Sequence, residues 1–363
     1  MQYSPIVYHN CARKWYNRSE QFVRNFCKGL GYYAQNHFCC RAGSLYSLPQ
    51  AVQSRPGRRA RKLFLVQHHF HGPRRHIGIV EPLPQKQESG VGGTLKAARA
   101  ALHFWEEPCI SGTRGSGTVF FSGCTLKCCF CQNYPISAEG LGKEITVEHL
   151  AQIFLDLQAQ GAHNINLVTP GQWQPWIIAA LDEARAKGLH LPIVCNTGGY
   201  ETLDSIERWR GYIDIWLADL KYVSSSLSAE LSAAPDYFAA AKAGIEAMMA
   251  QTGHPVFDAD GILQKGVILR HLALPGHVDD SFAVLDQMAA WNRADPGCFL
   301  PSVMSQYTPF YKAADHGIGR RITTYEYRRV VNYAMDLGLT DGYMQQKSSA
   351  KEEYTPSFDL TGV

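Results

Sequence analysis

The chain has 363 residues, 45% hydrophobic and 18% charged, too apolar for a disordered chain and too long for a disulfide-stapled mini-domain. No window carries the 18 or so uncharged apolar residues of a membrane span, and no secretory leader pattern opens the chain, so no membrane association and a cytoplasmic setting are expected. The net charge of +3 hides an asymmetry: residues 1–80 hold 13 Lys and Arg against Glu20 alone, net +12, and residues 81–363 are net −9.

Residues 1–93 read as an irregular basic extension, partly disordered, broken at Pro49, Pro56-Gly57, Gly72-Pro73 and Pro82-Pro84 and ending in the flexible run Ser89-Gly90-Val91-Gly92-Gly93. The run Arg58-Arg59-Ala60-Arg61-Lys62 could touch nucleic acid or another anionic surface, but a solvated, partly disordered extension is the expected reading. Cys11, Cys27, Cys39 and Cys40 lie in this leader at a spacing that matches no metal pattern.

From about Gly115 the pattern becomes regular. Gly117–Ser122 reads as a buried strand. Thr146 caps a helix with Val147, Leu150, Ala151, Phe154 and Leu157 on one face and Gly161 as its stop. Strands follow at 164–169, 191–196, 213–220, 266–274 and 301–307. They alternate with helices starting at Pro175 and covering 203–209, 235–250, 279–291 and 323–337. Six strands each followed by a helix over residues 94–345 predict an α/β fold of parallel strands with helices outside, a barrel or an open doubly wound sheet, and a partial (β/α)6 TIM-like barrel is the expected form. Residues 346–363 are left as a tail. In such a fold the active site lies at the C-terminal strand ends.

The first strand runs into Cys124, Cys128 and Cys131, spaced C-x3-C-x2-C, with Cys129 beside Cys128 and Cys109 nearby. A loop of that length can wrap three thiolates around one corner of a cubic iron–sulfur cluster. Three protein ligands for four irons leave one iron open to a substrate. A zinc knuckle is the alternative, but structural zinc needs four closed ligands and no second cysteine pair stands nearby. Eleven cysteines, an odd number without a secretory signal, argue against a disulfide framework.

Cys124, Cys128, Phe130 and Cys131 on the loop after the first strand resemble the radical S-adenosylmethionine superfamily. Ala101–Pro108, Ser116–Cys124, Asn166–Pro170, Arg270–His277, Met304–Tyr307 and Phe358–Val363 are similar to uncharacterised proteins related to pyruvate formate-lyase activating enzymes. The resemblance implies that Cys124, Cys128 and Cys131 ligate a 4Fe–4S cluster whose open iron chelates S-adenosyl-L-methionine, with Phe130 against the adenine region. Reductive cleavage would give methionine and a 5′-deoxyadenosyl radical that abstracts hydrogen from a substrate. Flavodoxin or ferredoxin would supply the electron. The substrate would be a protein glycine, as in glycyl-radical-enzyme activation, or else a small molecule or RNA.

The other strand ends offer cofactor contacts. Thr169-Pro170-Gly171 stands where many relatives place Gly-Gly-Glu, so the Thr169 hydroxyl or local carbonyls would meet the amino group. Asn196 offers both donor and acceptor, and Gly198-Gly199 allow close approach or make a plain helix-entry turn. Asp219-Leu220-Lys221 looks like the signature of glycyl-radical activases. Alternation puts Asp219 and Lys221 on one side, facing ribose and a carboxylate or pairing with each other. Arg270 suits capture of the methionine carboxylate, and His271 beside it is a further cofactor-side candidate. Phe120, Phe121, Trp173 and Trp216 are expected to line the mouth, and Gln306 and Tyr307 to close it.

Overall fold

The computed structural model describes residues 95–345 and 355–363. The leader, its four cysteines and its basic run lie outside the described residues.

The sheet comprises β1 (Leu95–His103), β2 (Ser116–Phe121), β3 (Lys143–Ile145), β4 (Ile165–Val168), β5 (Ile193–Thr197), β6 (Ile215–Asp219), β7 (Val256–Phe257), β8 (Leu263–Leu272), β9 (Leu300–Met304) and β10 (Tyr343–Met344). The strand order is β10-β9-β8-β6-β5-β4-β2-β1-β3, with β7 paired to β8 off this path. The six predicted strands are β2, β4, β5, β6, β8 and β9, which pair with one another in parallel. β2 and β4 are buried throughout, because a parallel strand covered on both faces has no solvent side.

β1 is antiparallel to both β2 and β3 and was not expected. Its sequence LKAARAALH is rich in helix formers, and pairing with the buried β2 overrides that preference. The serine-rich helix Ser225–Ser232 was also unexpected; Ser224 caps it by accepting from the Leu227 amide.

The two faces of the strands carry different residues. Cys195, Trp216, Ala218, Val267 and Leu269 join the large core under the helices. Val194, Ile215, Leu217, Leu263 and Ile268 pack instead on Cys109 and Ile110 of the short helix Pro108–Ser111. That helix also ties down distant strands. Asn164 Nδ2 beside β4 donates to Ile110 O at 2.8 Å, and Ser302 Oγ of β9 donates to Glu107 Oε1 at 2.8 Å. β4 and β9 lie four places apart in the sheet, so the sheet curls around this plug. β3 and β10 end the bonded path, so the barrel is partial, as expected.

The alternation corrects the expected lining. Phe120 faces the inner side, whereas Phe121 and Trp216, both fully buried, belong to the core under the helices. A strand cannot turn consecutive side chains to one face. Trp173 stands outside the cavity lining and donates Nε1 to Ser122 O at 2.8 Å.

Residues 355–363 fold back on β1. Thr361 O accepts from the Ala100 amide at 2.8 Å, Asp359 pairs with Arg99 at 2.8 Å, and the Phe358 ring meets Phe120 edge-on at 5.5 Å.

One cap braces the rim of the barrel. Thr323 and Glu326 form a capping box on the helix Thr324–Asp336, and Glu326 also accepts from Arg320 and from the Gly276 amide at 2.8 Å. The Arg320 guanidinium, with these amides, holds the Glu326 carboxyl well below its usual 4.5. A depressed folded-state value gives stability that is present above the unfolded pKa and lost as pH falls through the folded one. Glu326→Ala is expected to cost about 1–2 kcal/mol at pH 7. In urea titrations the gap to the parent should narrow below pH 4; a gap under about 0.3 kcal/mol at pH 7 would show the box is not stabilising.

Candidate functional site

The loop after β2 is fixed from several sides. Gln172 Nε2 donates to Ser122 O and Gly123 O at 2.8 and 2.9 Å. The Cys129 amide donates to Leu231 O at 2.8 Å, the Lys127 amide to Ser232 O at 3.2 Å, and Cys129 O accepts from the Lys312 amide at 2.8 Å. With the main chain so pinned, alternate side chains diverge. Cys124, Cys128 and Cys131 line a cavity of about 220 Å³ at the C-terminal ends of the strands, while Cys129 packs into the core. All four are free thiols.

Burial, then the nearby Cys128 and Cys131, push the Cys124 thiol up to about 12. Burial likewise raises Cys128, with the Lys221 ammonium opposing it. The raised Cys124 and Cys128 thiols are costly to ionise unaided, a cost that a cationic iron group would relieve. Thiolates around one tetrahedral ion sit about 3.7 Å apart. Among the described residues, no three His, Cys, Asp or Glu side chains converge closely enough to hold a single metal ion. Three thiols lining one cavity suit a cluster, where each binds a different iron.

Opposite the cysteines the cavity is polar. β6 and β8 pair with Asp219 opposite Arg270. Asp219 Oδ1 accepts from Arg270 Nε at 2.8 Å and Oδ2 from Lys221 Nζ at 2.6 Å. Arg270 Nη2 donates to Asn196 Oδ1 at 2.7 Å, and Nη1 reaches Glu106 Oε2 at 3.3 Å. Glu106 Oε1 accepts from Asn196 Nδ2 at 3.1 Å and Asn166 Nδ2 at 3.4 Å. Burial would raise the Asp219 carboxyl, but Arg270 and Lys221 outweigh it and leave it lowered. For Glu106 and Glu107 burial wins over Arg270, and both carboxyls are raised.

Of the residues anticipated at the site, Cys124, Cys128, Cys131, Phe130, Thr169, Asn196, Asp219, Lys221 and Arg270 all line this one cavity. The expected alternatives for Asp219 and Lys221 coincide, since the pair is ion-bonded and faces the cavity. All three guanidinium nitrogens of Arg270 already have protein partners. Thr169 has φ 55, a left-handed conformation that is costly for a β-branched residue. Its amide donates to Asn196 O at 2.9 Å. Gly199, at φ 79, lies where a Cβ would come within 2.1 Å of Asp219 O, so only glycine lets that turn meet β6. Gln306 and Tyr307 are in the lining.

His271 is not brought to the cavity. Alternation along β8 turns it away from Arg270, and its buried ring sits with Nδ1 2.9 Å from Leu220 O. Burial lowers its pKa; the neutral ring then donates from Nδ1 to that carbonyl. Sequence reasoning missed Glu106 and Glu107. No local pattern around Glu106 and Glu107 marks them as site residues, and only the curled sheet shows the carboxylates reaching β4, β5, β8 and β9.

Residues 111–233 match the family model described as a 4Fe-4S single cluster domain. An uncharacterized protein of Methanocaldococcus jannaschii, MJ0674, is 28% identical over 246 residues, covering 66% of each chain. The match thus spans just under two thirds of that relative. Among solved structures, the FeFe-hydrogenase maturase HydG from Carboxydothermus hydrogenoformans is 13% identical at a TM-score of 0.45, covering 61% of this chain and 50% of HydG. Streptococcus suis SuiB is 16% identical at 0.39, covering 63% and 47%. Methylornithine synthase PylB is 15% identical at 0.42, covering 61% of each. No helix among the described residues is long and apolar enough to cross a membrane.

Proposed function

We propose that this chain is a radical S-adenosylmethionine enzyme in which Cys124, Cys128 and Cys131 hold a 4Fe–4S cluster. The observation that carries the reading is that these three free, partly buried thiols line the same cavity as the Asp219–Arg270–Glu106 lattice at the strand ends. When bound and reduced by an external donor of flavodoxin or ferredoxin type, such a cluster supplies the electron that splits S-adenosylmethionine into methionine and a 5′-deoxyadenosyl radical.

The residues of the chain bind, orient and exclude water. Phe130, edge-on to Tyr307 at 5.8 Å, gives an apolar wall for an adenine ring. Asn196 is held at both ends of its amide, by Arg270 and Glu106, so its orientation is set before any ligand arrives. Asp219 keeps the Lys221 ammonium beside Cys128, where a cation offsets thiolate charge. Phe120, Leu272, Met304 and Phe310 complete the lining, an apolar wall that limits water around a reactive species.

The test is anaerobic reconstitution of the full chain with iron and sulfide. About four irons per chain are expected, with 5′-deoxyadenosine formed on adding S-adenosylmethionine and reductant. A protein that retains zinc and takes up neither iron nor sulfide overturns the reading.

A further inference from the structure

We infer that the Tyr222 and Ser232 hydroxyls raise the reduction potential of the cluster held through Cys128. The inference rests on the cluster reading above and concerns two residues that line neither the cavity nor the polar lattice. The Ser232 hydroxyl donates to Cys128 Sγ at 3.0 Å. Having spent its one proton there, its oxygen can only accept from Tyr222 Oη, 2.8 Å away. Donation therefore runs from Tyr222 to Ser232 to the sulfur. Both residues are 1% exposed, so no water replaces a lost donor.

The fold builds this contact rigidly. Ser232 is the last residue of the helix Ser225–Ser232, which ends in Ala233 at φ 53. The final carbonyls of that helix, Leu231 O and Ser232 O, accept the Cys129 and Lys127 amides. Hydroxyl and cysteine loop thus move as one piece. The Tyr222 ring is set edge-on to Tyr237 at 5.5 Å, and Tyr237 in turn bonds Gly198 O and Asp219 O, both at 2.9 Å. Ser137 Oγ lies 3.2 Å from Cys131 Sγ, but on the half-buried cavity side.

Reduction adds one electron, and part of the added charge falls on the ligand sulfurs. A donor aimed at sulfur stabilises the reduced state more than the oxidised one, which raises the potential. In a dry site the effect is strong, and a second hydroxyl polarising the first adds to it. A purely structural peg would change loop order or stability and leave the potential alone.

The experiment is a redox titration of the anaerobically reconstituted full chain, followed by electron paramagnetic resonance without S-adenosylmethionine or substrate. Ser232→Ala is expected to shift the reduction equilibrium about tenfold toward the oxidised cluster, about 59 mV downward for one electron. Tyr222→Phe should move it less, in the same direction, and Ser232→Thr, which keeps the hydroxyl, should restore it. Parental potential in a fully loaded Ser232→Ala overturns the inference while the cluster reading stands. If Ser232→Ala takes up no iron, Tyr222→Phe decides, and an unshifted potential there overturns it. A parent that takes up no iron overturns both readings together.

Discussion

Cys128→Ala, reconstituted without oxygen, is expected to lose bound iron and to form no 5′-deoxyadenosine above background, whereas Cys129→Ala keeps both. The two thiols are consecutive and chemically identical, so composition cannot distinguish them. The folded loop does. Cys128 lines the cavity with Cys124 and Cys131 and receives the Ser232 hydroxyl, while Cys129 faces the core. What matters at position 129 is main chain, since its amide and carbonyl bond Leu231 and Lys312. Alanine keeps both bonds. Losing the buried sulfur is expected to cost about 1 kcal/mol by the usual transfer and cavity terms. Iron and sulfide assays of the two variants, beside a urea titration, check this. Equal iron in both would remove Cys128 from the ligand set.

Asp219→Ala is expected to destabilise the protein by about 3–5 kcal/mol, the cost of leaving buried cations without their partner. Asp219 holds Arg270 at 2.8 Å and Lys221 at 2.6 Å, and its side chain is 15% exposed. Glu106→Gln should cost much less, about 1–2 kcal/mol. The amide can still accept from Asn166 or Asn196, and burial already raises the Glu106 carboxyl toward its neutral form. The lowered Asp219 carboxyl gives stability present above its usual 3.8 and lost as pH falls through its folded value. Urea unfolding of both variants at pH 7 measures the contrast. A loss under about 1 kcal/mol for Asp219→Ala would show that water screens the lattice.

Some features were readable because their signals are local. Hydrophobic runs in β2, β4, β5 and β6 mark buried strands. Thr146, Thr202 and Thr323 accept from the third residue onward as N-caps should. The C-x3-C-x2-C spacing singles out three of the cysteines from order alone. Other features were hidden by equally local signals that pointed elsewhere. Ala-rich β1 carries helix formers rather than a strand pattern, Glu106-Glu107 carry no local mark of a buried site, and His271 reads as a neighbour of Arg270 rather than its opposite.

The order of residues along the chain therefore determined the βα alternation, the barrel end where the cavity lies, and which three cysteines stand at C-x3-C-x2-C spacing, because periodicity, capping and motif spacing each act within a few residues. Only the tertiary structure decided which face each strand residue takes, that Arg270 is shared among Asp219, Asn196 and Glu106, and that Ser232 meets Cys128 across 104 residues. Those contacts join segments far apart in the chain, and they form only once the sheet has curled around Cys109 and Ile110.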